Sequence, residues 1–158
     1  MTRLSVNLNK IALIRNSRGS NYPDLIQVAK DCERFGAQGI TVHPRPDERH
    51  CKFSDLPLLK EACTTEFNIE GYPNRHFLEE VIKVKPHQCT LVPDDPNQIT
   101  SDHGWDTIKH KSFLQEVIQE LKQHDIRVSL FIDADKKLIE GAAAVNADRI
   151  EYYTGPYA

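Results

Sequence analysis

The chain has 158 residues, of which 39% are hydrophobic and 27% charged, and its net charge is −3. This length suffices for one domain with a sizeable core, which we place at residues 1–158. The slightly acidic balance excludes a basic nucleic-acid-binding protein, and no apolar run reaches the roughly 18–20 residues that span a membrane.

Two residue patterns alternate along the chain. Runs rich in β-branched and aromatic residues predict strands at residues 3–14, 39–43, 66–70, 88–92, 127–132 and 149–153. Apolar residues at helical spacing predict helices at 23–35, 54–63, 74–84, 111–124 and 135–145. Pro23, Ser54 and Asn74 are candidate helix starts, and Gly36 is a candidate stop.

Strict alternation with short connections predicts a parallel sheet with right-handed crossovers. An open doubly wound sheet and a (β/α)8 TIM barrel both fit this order. The absence of a glycine-rich phosphate turn after the first strand favours the barrel. Six strands correspond to about six of its eight βα units, so the α/β chain is expected to form an incomplete barrel with free edges on strands one and six.

Polar residues gather at the carboxyl ends of the predicted strands, where barrels place their chemistry. A histidine and a glutamate on neighbouring strands can act as an acid–base pair, and cations or hydroxyl groups can bind phosphate oxygens. The chain therefore suggests an enzyme that acts on a small phosphorylated carbonyl compound. The candidates are Asn7, Asn9, Lys10, Arg18, His43, Arg45, His50, Glu70 and Thr100.

Several of these residues also allow structural interpretations. Glu70 could pair with a buried arginine, and Asn7 and Asn9 could satisfy loop amides. Asp133 could cap the helix that begins near Asp135. The other histidines lack metal-ligand spacing, so no metal site is predicted.

The compartment is expected to be the cytoplasm. Arg3, Lys10 and Arg15 interrupt each apolar run near the N-terminus, so no signal peptide is expected. The four cysteines are widely spaced without a CxxC pair, which is typical of reduced and mostly buried thiols.

The chain resembles the pyridoxine 5′-phosphate synthase family, which has a (β/α)8 fold and belongs to vitamin B6 biosynthesis. Segments that carry the resemblance occur in collinear order over the whole chain; they include VNLNKIA at 6–12, RNSRG at 15–19, GITVHPR at 39–45, NIE at 68–70, LVP at 91–93, SLFIDAD at 129–135 and EYYTG at 151–155.

The resemblance implies a transferase that condenses 1-deoxy-D-xylulose 5-phosphate with 3-amino-2-oxopropyl phosphate, without a metal or an organic cofactor. His43 matches a catalytic base and Glu70 a second acid–base group. Substrate-binding matches are Asn7, Asn9, Lys10, Arg18, Arg45, His50 and Thr100. The family forms homo-oligomers, built as octamers, and the partners implied are small phosphorylated substrates rather than nucleic acid or membrane.

Two departures from the family leave alternatives open. Asn9 and Lys10 stand where the family pattern has Asp-His, which puts their role in question. The last two strands of the family are absent, so the isolated chain is expected to be inactive or nearly so. A non-catalytic remnant that binds phosphorylated ligands is one alternative; a Schiff-base aldolase, with Lys10 as its only candidate lysine, is another.

Overall fold

The computed structural model describes residues 2–94, 98 and 100–158, in two compact units, Met1–Glu70 and Gly71–Ala158. In the first unit the strands β1 (Ser5–Asn7), β2 (Gly39–Val42) and β3 (Glu66–Gly71) run parallel in that order, with Ser5 opposite Gly39 and Ile40 opposite Phe67. The helices are α1 (Asn9–Ser17), α2 (Leu25–Arg34) and α3 (Leu56–Ala62), and a 3₁₀ turn at Phe53–Asp55 precedes α3.

The core of the first unit forms around strand β2, which is buried along its whole length. Ile40, Val42, Phe67 and Ile69 are fully buried, as expected of parallel strands that are covered on both faces. Helix α2 begins after Asp24, whose carboxylate accepts hydrogen bonds from two first-turn amides at 2.9 and 3.1 Å. Because the three strands run parallel, their carboxyl ends present polar residues at one edge of the sheet.

The second unit contains the parallel strands β4 (Gln88–Leu91), β5 (Arg127–Ile132) and β6 (Arg149–Tyr152), with β5 between the other two. The helices are α4 (Arg75–Val84), α5 (Lys111–Gln123) and α6 (Lys136–Ala144). The apolar faces of α4 and α5 lie in the core, with Phe77, Val81, Ile118 and Leu121 among the buried side chains. The described residues form six strands, parallel within each unit, with at least one helix in every connection, which confirms the α/β class and six of the eight units of a (β/α)8 barrel.

The first predicted strand was too long. Only Ser5–Asn7 is extended, and α1 begins at Asn9. Leu8, Ala12 and Arg15 are buried at intervals of four and three residues, which is the period of a helix and not of a strand. Two helices, rather than one, therefore connect β1 to β2, and Asn9 and Lys10 lie on α1.

The predicted helix starts were partly wrong. Asn74 does cap α4, with its side-chain oxygen accepting from the Phe77 amide at 2.9 Å. Ser54 does not cap α3, because a 3₁₀ turn places the helix start at Leu56. Helix α2 begins at Leu25, with Asp24 as its cap, rather than at Pro23, and Asp135 rather than Asp133 caps α6.

Two general properties concern membrane spans and thiols. No helix in the part of the chain that the structure describes is long and apolar enough to cross a membrane. All four cysteines are free; Cys51 and Cys89 are buried, and Cys32 and Cys63 are half-buried.

Candidate active site

The carboxyl ends of β1, β2 and β3 bring a histidine and a glutamate together. His43 directly follows β2 and is only 6% exposed, while the Glu70 side chain on β3 is 12% exposed. His43 Nδ1 lies 4.0 Å from Glu70 Oε2, which is beyond hydrogen-bond distance. Both groups can thus face the same substrate atoms, and catalytic contacts are often this long without a ligand.

Asn7 and Asn9 fix the position of the histidine. The Asn7 side-chain oxygen accepts from the Asn9 amide at 2.9 Å, and the Asn9 side-chain oxygen accepts from the His43 amide at 2.8 Å. The Asn7 amide nitrogen lies 3.5 Å from Glu70 Oε2, so its hydrogen bond to the carboxyl group is long. The interpretation that these asparagines satisfy backbone amides is therefore confirmed, and they also link β1 to both candidate catalytic residues.

His43 is uncharged at neutral pH. Burial lowers the pKa of its imidazole from 6.5 to about 3, and the positive charges of Arg45, His50 and Arg49 lower the pKa further in the same direction. The 4.0 Å contact between His43 and Glu70 is therefore not an ion pair at neutral pH. A neutral imidazole keeps one nitrogen lone pair, which a proton acceptor requires.

The loop after β2 supplies a group of cations beside His43. Arg45 is buried, whereas Arg49 and His50 are half-buried. Burial lowers the pKa of His50, as do the charges of Arg49, Arg45 and Lys10. His50 Nδ1 is buried and has no hydrogen-bond partner within the described residues. The charge of the two arginines and the unpaired His50 Nδ1 are features that can bind an anionic ligand.

Two further predicted ligands are exposed. Arg18 is the C-terminal cap of α1. Thr100 is exposed and belongs to the second unit, where its carbonyl oxygen accepts from Gln98 at 2.8 Å. The structure thus brings together the predicted residues of the first unit other than Arg18.

The second unit has its own polar residues at strand ends. Glu151 on β6 is half-buried; burial raises the pKa of its carboxyl group, and a hydrogen bond with Thr90 opposes that shift. Asp133 follows β5 and accepts from the Gly104 amide at 3.2 Å. Across residues 2–94, 98 and 100–158, no three His, Cys, Asp or Glu side chains are grouped so as to hold a metal ion.

Sequence reasoning missed two functions in α1. Arg15 is buried and forms a bidentate ion pair with Asp55, with both N–O distances at 2.8 Å, so this arginine is structural. Asn16 contacts the loop that carries His50. The three-residue spacing of Arg15 from Ala12, which places both on one helix face, was the available signal for the first, whereas no sequence signal identifies the second.

Comparison with known proteins identifies the family of the chain. The family model described as pyridoxal phosphate biosynthesis protein PdxJ matches residues 4–158. Proteins named pyridoxine 5′-phosphate synthase from Cytophaga hutchinsonii and Phocaeicola vulgatus are 61% and 60% identical over the whole chain, which spans 66% of each relative. The chain thus covers slightly less than two thirds of the length of these curated relatives.

Solved structures of other proteins share the fold alone. The aldolase QR15 superposes with a TM-score of 0.65 at 12% identity, covering 96% of this chain and 68% of the aldolase. A mandelate oxidase variant with a flavin adduct has a TM-score of 0.65 at 9% identity, covering 95% of this chain and 50% of the oxidase. By contrast, the two curated relatives are 61% and 60% identical to the chain, and the family model matches residues 4–158. The chain belongs to the pyridoxal phosphate biosynthesis protein PdxJ family.

Proposed function

We propose that this protein is a pyridoxine 5′-phosphate synthase, which condenses 1-deoxy-D-xylulose 5-phosphate with 3-amino-2-oxopropyl phosphate. One observation carries the proposal: a buried, neutral His43 lies 4.0 Å from Glu70 and beside the cations of the following loop. The names of the most similar relatives agree with it. Proton-transfer groups next to an anion-binding loop are what phosphorylated carbonyl substrates require.

In this proposal His43 is the base and Glu70 is the second acid–base group. Imine formation, elimination and ring closure each move a proton, so two groups that face the same atoms can act in successive steps. Asn9 holds the backbone of His43, and Asn7 contacts Glu70. The two asparagines would keep both groups in place while the substrate changes shape.

The substrate phosphates bind to cations and hydroxyl groups. Arg45 and His50 are the ligands for the deoxyxylulose phosphate, with Lys10 adding charge beside His50. Asn7 and Arg18 hold the aminoketone phosphate. By the family resemblance, Thr100 is a further ligand for the deoxyxylulose phosphate. Asn9 can donate through its amide nitrogen, because its side-chain oxygen accepts from the His43 amide.

The wider setting follows from the family. We assign the protein to the transferases of the cytoplasm, and to homo-oligomers of the octameric type. The family resemblance gives no role to a metal or an organic cofactor. Small phosphorylated molecules are its partners in this proposal.

The test is product formation by the protein translated from its whole reading frame. With both substrates, wild type should form pyridoxine 5′-phosphate, and His43→Asn and Glu70→Gln should each lower kcat by about 10²-fold or more. His76→Asn, a change at an exposed histidine of α4, is the matched control and should keep full activity.

Two results would contradict the proposal. Wild-type protein that binds phosphate esters but forms no product would support the non-catalytic alternative. Borohydride trapping of a carbonyl substrate on Lys10, detected by mass spectrometry, would support the aldolase instead.

A further inference from the structure

We propose that Asn16 is a positioning residue, which holds the loop at residues 47–50 in the shape that presents His50 to a substrate phosphate. The inference rests on the proposed function, because His50 is a phosphate ligand only there. Asn16 lies on α1 and is half-buried. It was not among the site residues predicted from the sequence.

The contact between Asn16 and the loop is made by one nitrogen atom. Asn16 Nδ2 lies 3.1 Å from the carbonyl oxygen of Glu48, 3.0 Å from that of Arg49 and 2.7 Å from that of His50. Three consecutive carbonyl groups therefore converge on a single amide group. Such oxygens carry partial negative charge and repel one another, so the arrangement requires a donor at its centre.

The orientation of the Asn16 side chain is fixed from the other side. Arg15 Nε donates to Asn16 Oδ1 at 3.1 Å, which assigns the oxygen to the arginine and the nitrogen to the loop. Arg15 is itself held by two bonds of 2.8 Å to Asp55. Asp55 also accepts from the Lys52 amide at 2.8 Å, so the support extends to the residues that follow the loop.

The loop conformation needs this support. Glu48 has a φ of +52°, a left-handed conformation that costs about 1 kcal/mol or more in a residue with a side chain. Its amide donates to the Arg45 carbonyl at 2.9 Å, and its carboxylate accepts from the Phe53 amide at 2.9 Å. Without the Asn16 donor, the peptide groups of residues 48–50 can rotate their carbonyls toward water. That rotation would displace His50.

The experiment compares Asn16→Ala and Asn16→Asp with wild type in the protein translated from its whole reading frame. Asn16→Ala removes the donor without adding charge, whereas Asn16→Asp removes the donor, keeps the volume and adds a negative charge. Ser17→Ala is the matched control, because Ser17 is the next residue of α1 and donates only within its own helix, to Ile14 at 2.8 Å. Isothermal titration with inorganic phosphate measures affinity, and hydrogen exchange at the Phe53 amide, which donates to the Glu48 carboxylate, measures loop order.

We expect Asn16→Ala to bind phosphate about tenfold more weakly, which is the effect of losing roughly 1.4 kcal/mol of hydrogen bonding, and Asn16→Asp to bind it more weakly still because its carboxylate repels the anion. The KM of the deoxyxylulose phosphate should rise by a similar factor while kcat changes little. The Phe53 amide should exchange about tenfold faster or more, because its acceptor, the Glu48 carboxylate, moves with the loop. Ser17→Ala should match wild type in all of these measurements.

Each other outcome has a defined meaning. Faster exchange with unchanged phosphate affinity would overturn the inference, because loop order would then not serve anion binding. Wild-type affinity and exchange in Asn16→Asp would overturn it as well, since shape alone would suffice. A wild-type protein that binds no phosphate would overturn the proposed function, and with it the anion role. If Asn16→Ala does not fold, Asn16→Gln replaces it, because glutamine keeps both donors on a longer side chain. Its phosphate affinity should be intermediate. Lost affinity with wild-type exchange in Asn16→Gln would refute the inference.

Discussion

His43 should make the stability of the protein depend on pH in a way that one substitution removes. Its imidazole is buried beside Arg45, Arg49 and His50, and both burial and these neighbours oppose its protonation in the folded chain. In the unfolded chain the imidazole is surrounded by water and binds a proton near pH 6.5. Between these two pKa values, acid therefore favours the unfolded state.

The magnitude follows from the two pKa values. The pKa of His43 is about 3 in the folded protein, compared with 6.5 as its ordinary value. Below pH 6.5 the unfolded chain carries a proton that the folded chain lacks, so the free energy of unfolding decreases as the pH falls through that window. At about 1.4 kcal/mol per pKa unit, the loss between pH 7 and pH 5 is about 2 kcal/mol from this group alone.

Urea unfolding of wild type and His43→Asn at pH 7 and pH 5 measures this contribution. The decrease in the free energy of unfolding between the two pH values should be about 2 kcal/mol smaller in His43→Asn, because asparagine does not titrate. Burial and neighbouring charges also lower the pKa of His50, so this histidine makes a second contribution of the same sign. Both proteins contain His50, and its contribution therefore cancels when wild type and His43→Asn are compared. His76→Asn serves as the control at an exposed histidine.

The reasoning fails if His43→Asn loses as much stability as wild type between pH 7 and pH 5. It also fails if the imidazole of His43, followed by NMR, titrates above pH 5 in the folded protein. Either result would mean that burial and the loop cations do not keep this histidine neutral. The electrostatic description of the candidate site would then be wrong.

Two further predictions concern stability. Arg15→Ala should lower the free energy of unfolding by about 3–5 kcal/mol, because it leaves the carboxylate of Asp55 without its buried partner. A loss below about 1 kcal/mol in urea unfolding would show that this ion pair does not stabilise the fold. Gly141→Ala should destabilise the protein by about 1–3 kcal/mol, although alanine has the better helix propensity. The added methyl group would overlap the buried hydroxyl of Thr107, which donates to the Leu138 carbonyl at 2.8 Å. A raised melting temperature would contradict this prediction.

The fold was largely predictable because its signals are local. Five of the six strands are short β-branched runs between helical patterns, and the structure keeps them within one residue of the prediction. The first strand was mistaken because residues 3–14 are apolar enough for either period, and burial at Leu8, Ala12 and Arg15 distinguishes the two. Helix starts were less predictable, since Ser54 has capping chemistry but a 3₁₀ turn occupies its position.

The site was predictable only as far as strand ends specify it. His43 and Glu70 were identified because parallel strands deliver their last residues to one edge. Their separation of 4.0 Å and the neutral state of the imidazole depend on side-chain packing, which no pattern encodes. The same holds for Asn16, whose role comes from carbonyl groups more than thirty residues away in the chain.

The cations of the loop connect ligand binding with proton transfer. Arg45, Arg49 and His50 lower the pKa of His43, and under the proposed function Arg45 and His50 bind a phosphate. A phosphate carries about two negative charges and would offset that positive field, so its binding must raise the pKa of His43. Linkage is reciprocal, which means that protonation of His43 must strengthen phosphate binding by the same free energy. Under the proposed function, His43 is therefore a weak base in the unliganded protein and a stronger base once a phosphorylated substrate is bound. Binding of the substrate phosphate thus favours proton abstraction by His43.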